Sequence, residues 1–167
     1  MNACFLKMPR IPWLSAAAVL VVGICLSASA DSIAAPHTVE SFDAATWARL
    51  QKELPRPAIV VFTATYCASC PALFAHMANA LQERGLKTAM VAVVIDEADE
   101  HQLLTSEHYR LASRLFVFEG NEASLRYQID PRWRGVTPYV ALLPARGKPV
   151  FVPGAPTDAQ LAAWSGK

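Results

Sequence analysis

The sequence predicts an α/β domain with a central mixed sheet flanked by helices, and three observations predict it. Nearly continuous apolar runs rich in β-branched residues at 58–63, 87–95 and 139–143 have the composition of strands buried on both faces. Segments with apolar residues at helical spacing separate them. A short run at 150–152, bounded by Pro149 and Pro153, follows the last of these across Ala145-Arg146-Gly147-Lys148, as the edge strand of a hairpin does. Alternation of strand and helix followed by a hairpin implies an α/β sandwich with a mixed sheet.

In chain order, a polar lead at 31–38 precedes a helix expected over 42–54, where Phe42, Trp47, Leu50 and Leu54 supply the apolar side and Ser41 or Asp43 the cap. Pro55 and Pro57 end it before the strand at 58–63. That strand runs directly into Ala64-Thr65-Tyr66-Cys67-Ala68-Ser69-Cys70-Pro71. A helix follows, marked by Leu73, Phe74, Met77, Ala78 and Leu81 and ending at Gly85. The strand at 87–95 closes on the acidic stretch 96–100. A helix over about 97–114 is then expected, with Leu103, Leu104, Leu111 and Leu115 inward. A short strand at 115–118, a helix at 121–129, the Asp130-Pro131 break, a loop at 133–138, the hairpin, and a last helix capped by Thr157 or Asp158 and running through Trp164 complete the chain.

A length of 167 residues with 53% hydrophobic content is enough for one packed domain and argues against both a second domain and a disordered chain. The organisation expected is an export signal at 1–30, a linker at 31–38 and a folded domain at 39–167. Lys7 and Arg10 precede an apolar run at 11–28 that ends in Ala28-Ser29-Ala30, the layout of a secretory signal cleaved after Ala30. An uncleaved anchor is the rival reading, because about 18 apolar residues approach the span of a bilayer. Ile24 argues against a lipid anchor at Cys25, and a start at Met8 would leave the signal intact. Removal of 1–30 leaves 13 Lys and Arg against 14 Asp and Glu, a balance that points to no nucleic-acid or polyanion partner.

The same cleavage reduces four cysteines to two, Cys67 and Cys70. Two cysteines three positions apart cannot staple distant loops, so their role is local: a redox couple, half of a metal site, or an inert short-loop disulfide. A strand-to-helix junction favours the first. The helix N-terminus supports a thiolate at Cys67, and Cys70, expected one turn further in, suits attack on a mixed disulfide formed at Cys67. Pro71 is tolerated because an N–H in the first turn has no intrahelical acceptor to lose. A closed zinc site would need two more ligands. No second cysteine pair or closely spaced histidine pair supplies them, and no metal or other cofactor is expected. His76 reads as a polar position on the outer helix face, and His37, His101 and His108 as surface residues.

The second element is Val136-Thr137-Pro138-Tyr139. Pro138 either simply opens the following strand or forms a cis Thr-Pro bond against the cysteines that exposes the Thr137 backbone to an incoming peptide. Together these features resemble the thioredoxin superfamily: buried strand, aromatic-Cys-x-x-Cys-Pro, helix, strand, helix, then Gly-Val-Thr-Pro leading to a hairpin and last helix. The resemblance covers about residues 40–165. Within the superfamily the chain looks most like the exported TlpA-type thiol-disulfide oxidoreductases, because a strand and helix at 115–129 are inserted before the Thr-Pro loop.

The resemblance implies a thioredoxin-like fold and a cis bond at Pro138. It also implies Cys67 as attacking thiol, Cys70 as resolving thiol, and Thr137 with Pro138 as the substrate-docking loop. Tyr66 takes the place of the usual tryptophan. The buried acid that assists the resolving thiol in thioredoxin aligns with Val61, which leaves water or Glu97 to receive the Cys70 proton. Arg132, Trp133 and Arg134 are expected beside Cys67, either as a solvated basic turn with one partly buried tryptophan or as a thiolate-stabilising arginine and a partner-binding Trp133.

The function so implied is that of an exported, periplasmic reductase, possible also as an inner-membrane-tethered form. It would pass electrons from a membrane thiol-disulfide donor to cysteine-containing exported proteins or apocytochromes. A disulfide-donating oxidase is the near rival. A thioredoxin-like copper chaperone is a third, since thiolates select Cu(I). Chaperones of the Sco type, however, space their cysteines more widely and add a late histidine, and none follows His108. Ala64 replaces the threonine that a peroxidase would carry, and a binding module with an inert disulfide is the non-catalytic alternative.

Overall fold

The computed structural model describes residues 35–166. The elements are β1 (Val39–Phe42), α1 (Thr46–Glu53), β2 (Ala58–Thr63), α2 (Cys70–Glu83), β3 (Met90–Val94) and α3 (Glu100–Thr105), then a 3-10 turn (Glu107–Tyr109). They continue with β4 (Arg114–Phe118), α4 (Glu122–Ile129), β5 (Tyr139–Leu143), β6 (Val150–Pro153) and α5 (Asp158–Ser165). The export segment and its cleavage site lie outside the described residues. No helix among the described residues is long and apolar enough to cross a membrane.

The six strands form one sheet in the order β1-β4-β3-β2-β5-β6. β1, β4, β3 and β2 run parallel, and β5 and β6 join antiparallel. This is the thioredoxin-like mixed sheet flanked by helices that the sequence implies. β4 and α4 supply the expected strand-helix segment before the Pro138 loop. All six residues of β2 and all five of β3 and β5 are buried, as their unbroken apolar runs require.

Alternation along these strands feeds two cores. Ile59 and Val61 of β2 pack with Met90, Ala92 and Val94 of β3 against α2 and α5, through Leu73, Phe74, Met77, Leu161 and Trp164. Val60 and Phe62 face the opposite side, with Val91 and Val93, against Trp47 and Leu50 of α1, Leu54 just after it, and Ile129 and Trp133. α5 is closed at its start by a capping box between Thr157 and Gln160, so of the two expected caps Thr157 is the one used.

Two elements depart from expectation. Phe42 does not open a helix. It ends β1, where it registers with Phe118 and its carbonyl accepts the Glu119 N–H at 3.0 Å. The Asp43 carboxylate then accepts the N–H groups of Ala45 and Thr46 at 3.0 and 2.9 Å, which starts the helix only beyond it. β1 escapes detection because it is four residues long and carries Glu40 and Ser41, so it shows neither periodicity nor an apolar run.

The single helix expected over 97–114 is also divided. Asp99 caps α3 by accepting the Gln102 N–H, and Ser106 turns extended, ends α3 and caps the 3-10 turn through His108 N–H. Leu103 and Leu115 are buried as expected, but Leu111, freed from the helical register, is 45% exposed.

Phe42 is 1% exposed and meets Phe62 and Phe116 edge-on at 6.0 and 6.1 Å. Phe42→Ala should therefore destabilise the fold by about 3–5 kcal/mol in urea unfolding; a loss under about 1 kcal/mol would mean that β1 does not hold this edge of the sheet.

Candidate active site

β2 delivers the chain to a tight turn. Cys67 donates its N–H to Ala64 O at 3.0 Å, and Cys70 donates to Cys67 O at 3.2 Å. The two cysteines are thereby brought to a Cα separation of 5.5 Å and are joined as a disulfide. α2 begins at Cys70 itself, with Ser69 at the N-cap position and Pro71 in the first turn. Cys67 thus precedes the helix and faces its positive end, and Cys70 opens the first turn rather than lying one turn inside.

The surroundings of the two cysteines differ. Cys70 is 2% exposed. Cys67 is half-buried, with its sulfur 3.8 Å from the Ser69 hydroxyl. Tyr66 beside it is 74% exposed. Val61 is fully buried among aliphatic side chains of the α2-side core, and Glu97 is exposed.

Among the described residues the acid bonded to the cysteine turn is Asp96 rather than the neighbouring Glu97. Its carboxylate accepts the Thr65 N–H at 2.9 Å and also bonds the Thr65 hydroxyl. A signal for it existed: β2 and β3 are parallel with Thr63 opposite Val94, so two residues further on the same register sets Asp96 beside Thr65.

The second arm of the site is the loop at 130–138. Asp130 is 4% exposed and accepts from Arg132 N, Nε and Nη2 at 3.0, 3.1 and 3.0 Å, and from the Tyr139 hydroxyl at 2.8 Å. Hydrogen bonding from Arg132, helped by Tyr139, lowers the Asp130 carboxyl to about 2 against the opposing effect of burial. Burial and the neighbouring carboxylate push the Tyr139 phenol above its ordinary range.

Trp133 stacks on Tyr139 at 4.8 Å, lies 5.0 Å from Phe62, and donates from Nε1 to Val136 O at 2.9 Å. Gly135 suits its position because its φ is +84°, a conformation that strains any residue with a Cβ, and the Arg126 guanidinium lies where that Cβ would be. These contacts present Pro138, whose bond to Thr137 is cis and whose carbonyl accepts the Gly154 N–H at 2.9 Å.

A groove of about 340 Å³ joins the two arms, lined by Ser69, Ala72 and His76 of the cysteine arm and by Pro138, Gly154 and Ala155 of the other. His76 is exposed on α2 as expected, but faces this groove; His37, His101 and His108 are exposed. Trp133 is only 5% exposed. Its remaining edge lines a second cavity of about 310 Å³ with Arg132, Arg134, Val136 and Tyr139. Arg132 is engaged by Asp130, while Arg134 and Val136 are exposed on the rim.

No protein-family model and no curated protein sequence matches the chain. Among solved structures, it is similar to a secreted Mycobacterium tuberculosis disulfide oxidoreductase described as homologous to E. coli DsbE, at 18% identity and a TM-score of 0.46 over 75% of this chain and 91% of that one. It is similar also to a thio-disulfide isomerase of Thermus thermophilus, at 17% identity and a TM-score of 0.47 over 68% of this chain and 79% of that one. A third is DsbF of MTB, at 16% identity and a TM-score of 0.45 over 66% of this chain and 78% of that one.

Because Asp130 is more acidic in the folded than in the unfolded chain, its ionised form stabilises the fold above about pH 4, and that contribution is lost as the pH falls toward about 2. Asp130→Asn should be less stable than the wild type by about 1–2 kcal/mol at pH 7, with the ionic part of that gap shrinking through pH 2 and gone near pH 1. Denaturant midpoints across that range test this; a gap of unchanged size from pH 7 to pH 1 would remove ionisation as its cause.

Proposed function

We propose that the protein is an exported thiol-disulfide oxidoreductase that works in the periplasm and reduces disulfides of exported proteins or apocytochromes. The observation that carries this reading is the asymmetric pair: a half-buried Cys67 in front of a helix N-terminus, a buried Cys70 behind it, and the cis-Pro138 loop across a shared groove. A thiolate in the exposed position can reach a substrate. A thiol in the buried one reacts only with what is already attached to its neighbour.

In the reduced protein the Cys67 thiolate attacks a substrate disulfide. One substrate sulfur leaves as a thiolate and a mixed disulfide forms at Cys67. Cys70 then loses its proton and attacks the Cys67 sulfur, which releases the second substrate thiolate and closes the Cys67–Cys70 disulfide. Two electrons have passed to the substrate, whose thiolates take up protons from water. A membrane dithiol donor restores the starting state by the same exchange in reverse.

Docking falls to Thr137 and Pro138, with Tyr66 offering an exposed ring and Trp133 holding the loop in place. Pro138 lines the groove that begins at Ser69, and the Thr137 backbone just before it would pair with an extended substrate segment. No cofactor enters these steps.

Cys67→Ser should abolish insulin-disulfide reduction, and unchanged activity would rule out catalysis by the pair. Cys70→Ser should accumulate mixed disulfides through Cys67, whose trapped partners name the substrates. The direction of flow is read from the reduction potential: a value well below about −120 mV is expected, and one near it, where strong disulfide donors lie, would make the protein an oxidase.

A further inference from the structure

We infer that Asp96 is a positioning residue that clamps the cysteine turn and, through its charge, holds the Cys67 thiol less acidic and the pair more reducing than the helix N-terminus alone would make them. The inference rests on the proposed dithiol exchange and deepens it. Asp96 lies just beyond β3, where Ile95 donates its N–H to Thr63 O at 2.9 Å and so carries the β2–β3 ladder one step past the strands. The carboxylate then reaches across to Thr65 through both the backbone N–H and the hydroxyl. Thr65 belongs to the turn that the Cys67 N–H closes on Ala64 O, so the clamp and the attacking sulfur share one four-residue unit.

Both donors to Asp96 are neutral, and Asp96 forms no ion pair among the described residues. Its charge is therefore not cancelled locally. The other carboxylate near the site, Asp130, is matched by the Arg132 guanidinium. On its far side Asp96 acts on Tyr109, a buried phenol whose pKa is pushed above its ordinary value by burial first and by the Asp96 charge in addition.

A negative charge at this place disfavours the thiolate at Cys67. Reduction of the Cys67–Cys70 disulfide takes two electrons from two donor thiols, which leave as the donor disulfide, and leaves a dithiol here. Destabilising the thiolate form of that dithiol shifts the balance toward the disulfide, which means a lower potential.

The experiment compares Asp96→Asn, Asp96→Glu and Thr65→Val in the full chain. Cys67 ionisation is followed by thiolate absorbance, and the dithiol-disulfide equilibrium is measured against glutathione at pH 7 and pH 8. Asp96→Asn removes the charge and keeps a hydrogen-bonding amide. It should lower the Cys67 pKa and weaken the disulfide against glutathione by about threefold, the effect of a unit charge several ångströms away at a protein surface. Asp96→Glu keeps the charge and should stay near the wild type, and so should Thr65→Val, which loses only the hydroxyl bond.

Equal behaviour of Asp96→Asn and wild type overturns the charge role. Equal shifts in Asp96→Asn and Thr65→Val overturn it in favour of a purely mechanical clamp. A wild-type protein that never exchanges with glutathione instead sinks the proposed function itself, which keeps the two failures apart.

Discussion

Burial of β2 on both faces is the constraint from which the site follows. A strand with no solvent-exposed residue cannot slip by one position without moving Phe62 and Val60 into the core that Val61 and Ile59 occupy. Its register against β3 and β5 is thereby fixed, and with it the point at which the chain leaves the sheet. Cys67 and Cys70 inherit that precision. The turn that carries them is held by two backbone hydrogen bonds, the disulfide itself and the Asp96 clamp, and it depends on the strand beneath it for placement. β5 does the same for the opposite arm: antiparallel to β2 with Tyr139 opposite Phe62, it brings the start of its own strand, and the Pro138 loop before it, to the end of β2 where the cysteines emerge.

The two arms are then joined through one aromatic layer. Trp133 stacks on Tyr139 and leans on Phe62, so the loop, β5 and β2 share a ring cluster on the α1 side of the sheet. Cys67 packs against that same cluster. The two faces of the sheet therefore do different work. The α2 side is mainly aliphatic and anchors the helix that opens at Cys70, while the α1 side is rich in rings and ties the cysteine turn to the Pro138 loop through Trp133 and Tyr139.

Most of this was legible in the sequence because the signals were long or chemically unambiguous. The runs at 58–63 and 139–143 are strands with those bounds, and the spacing of Cys67, Cys70 and Pro71 led directly to a helix start. What stayed hidden was short or tertiary. β1 has four residues, two of them polar, and owes its existence to pairing with β4 rather than to its own pattern. The break at Ser106 is one hydroxyl choosing a local backbone bond over helix continuation. Trp133 could be placed near the cysteines but not inside the core, because its burial comes from stacking on Tyr139, a contact that exists only once β5 is formed. Asp96 lay one residue from Glu97 in an acidic stretch, and only the β2–β3 register distinguishes the carboxylate that turns inward from the one that stays in water.

The two carboxylates nearest the site show how one residue type serves two ends. Asp130 is buried and engaged by a guanidinium, a phenol and a backbone N–H, so its field is largely cancelled and what remains is shape: a loop held against β5. Asp96 is half-buried and engaged by neutral donors alone, so no cation among the described residues pairs with it while it fixes its turn. Where thioredoxin places a buried acid, this chain has Val61 in an aliphatic core, and an ionised carboxylate there would lack any partner. A carboxylate that acts on the cysteines is better tolerated at the rim of the site, where water solvates it. Asp96 meets that condition, and because it is bonded to Thr65, in the turn that the Cys67 N–H closes, its field reaches the half-buried Cys67 through that turn.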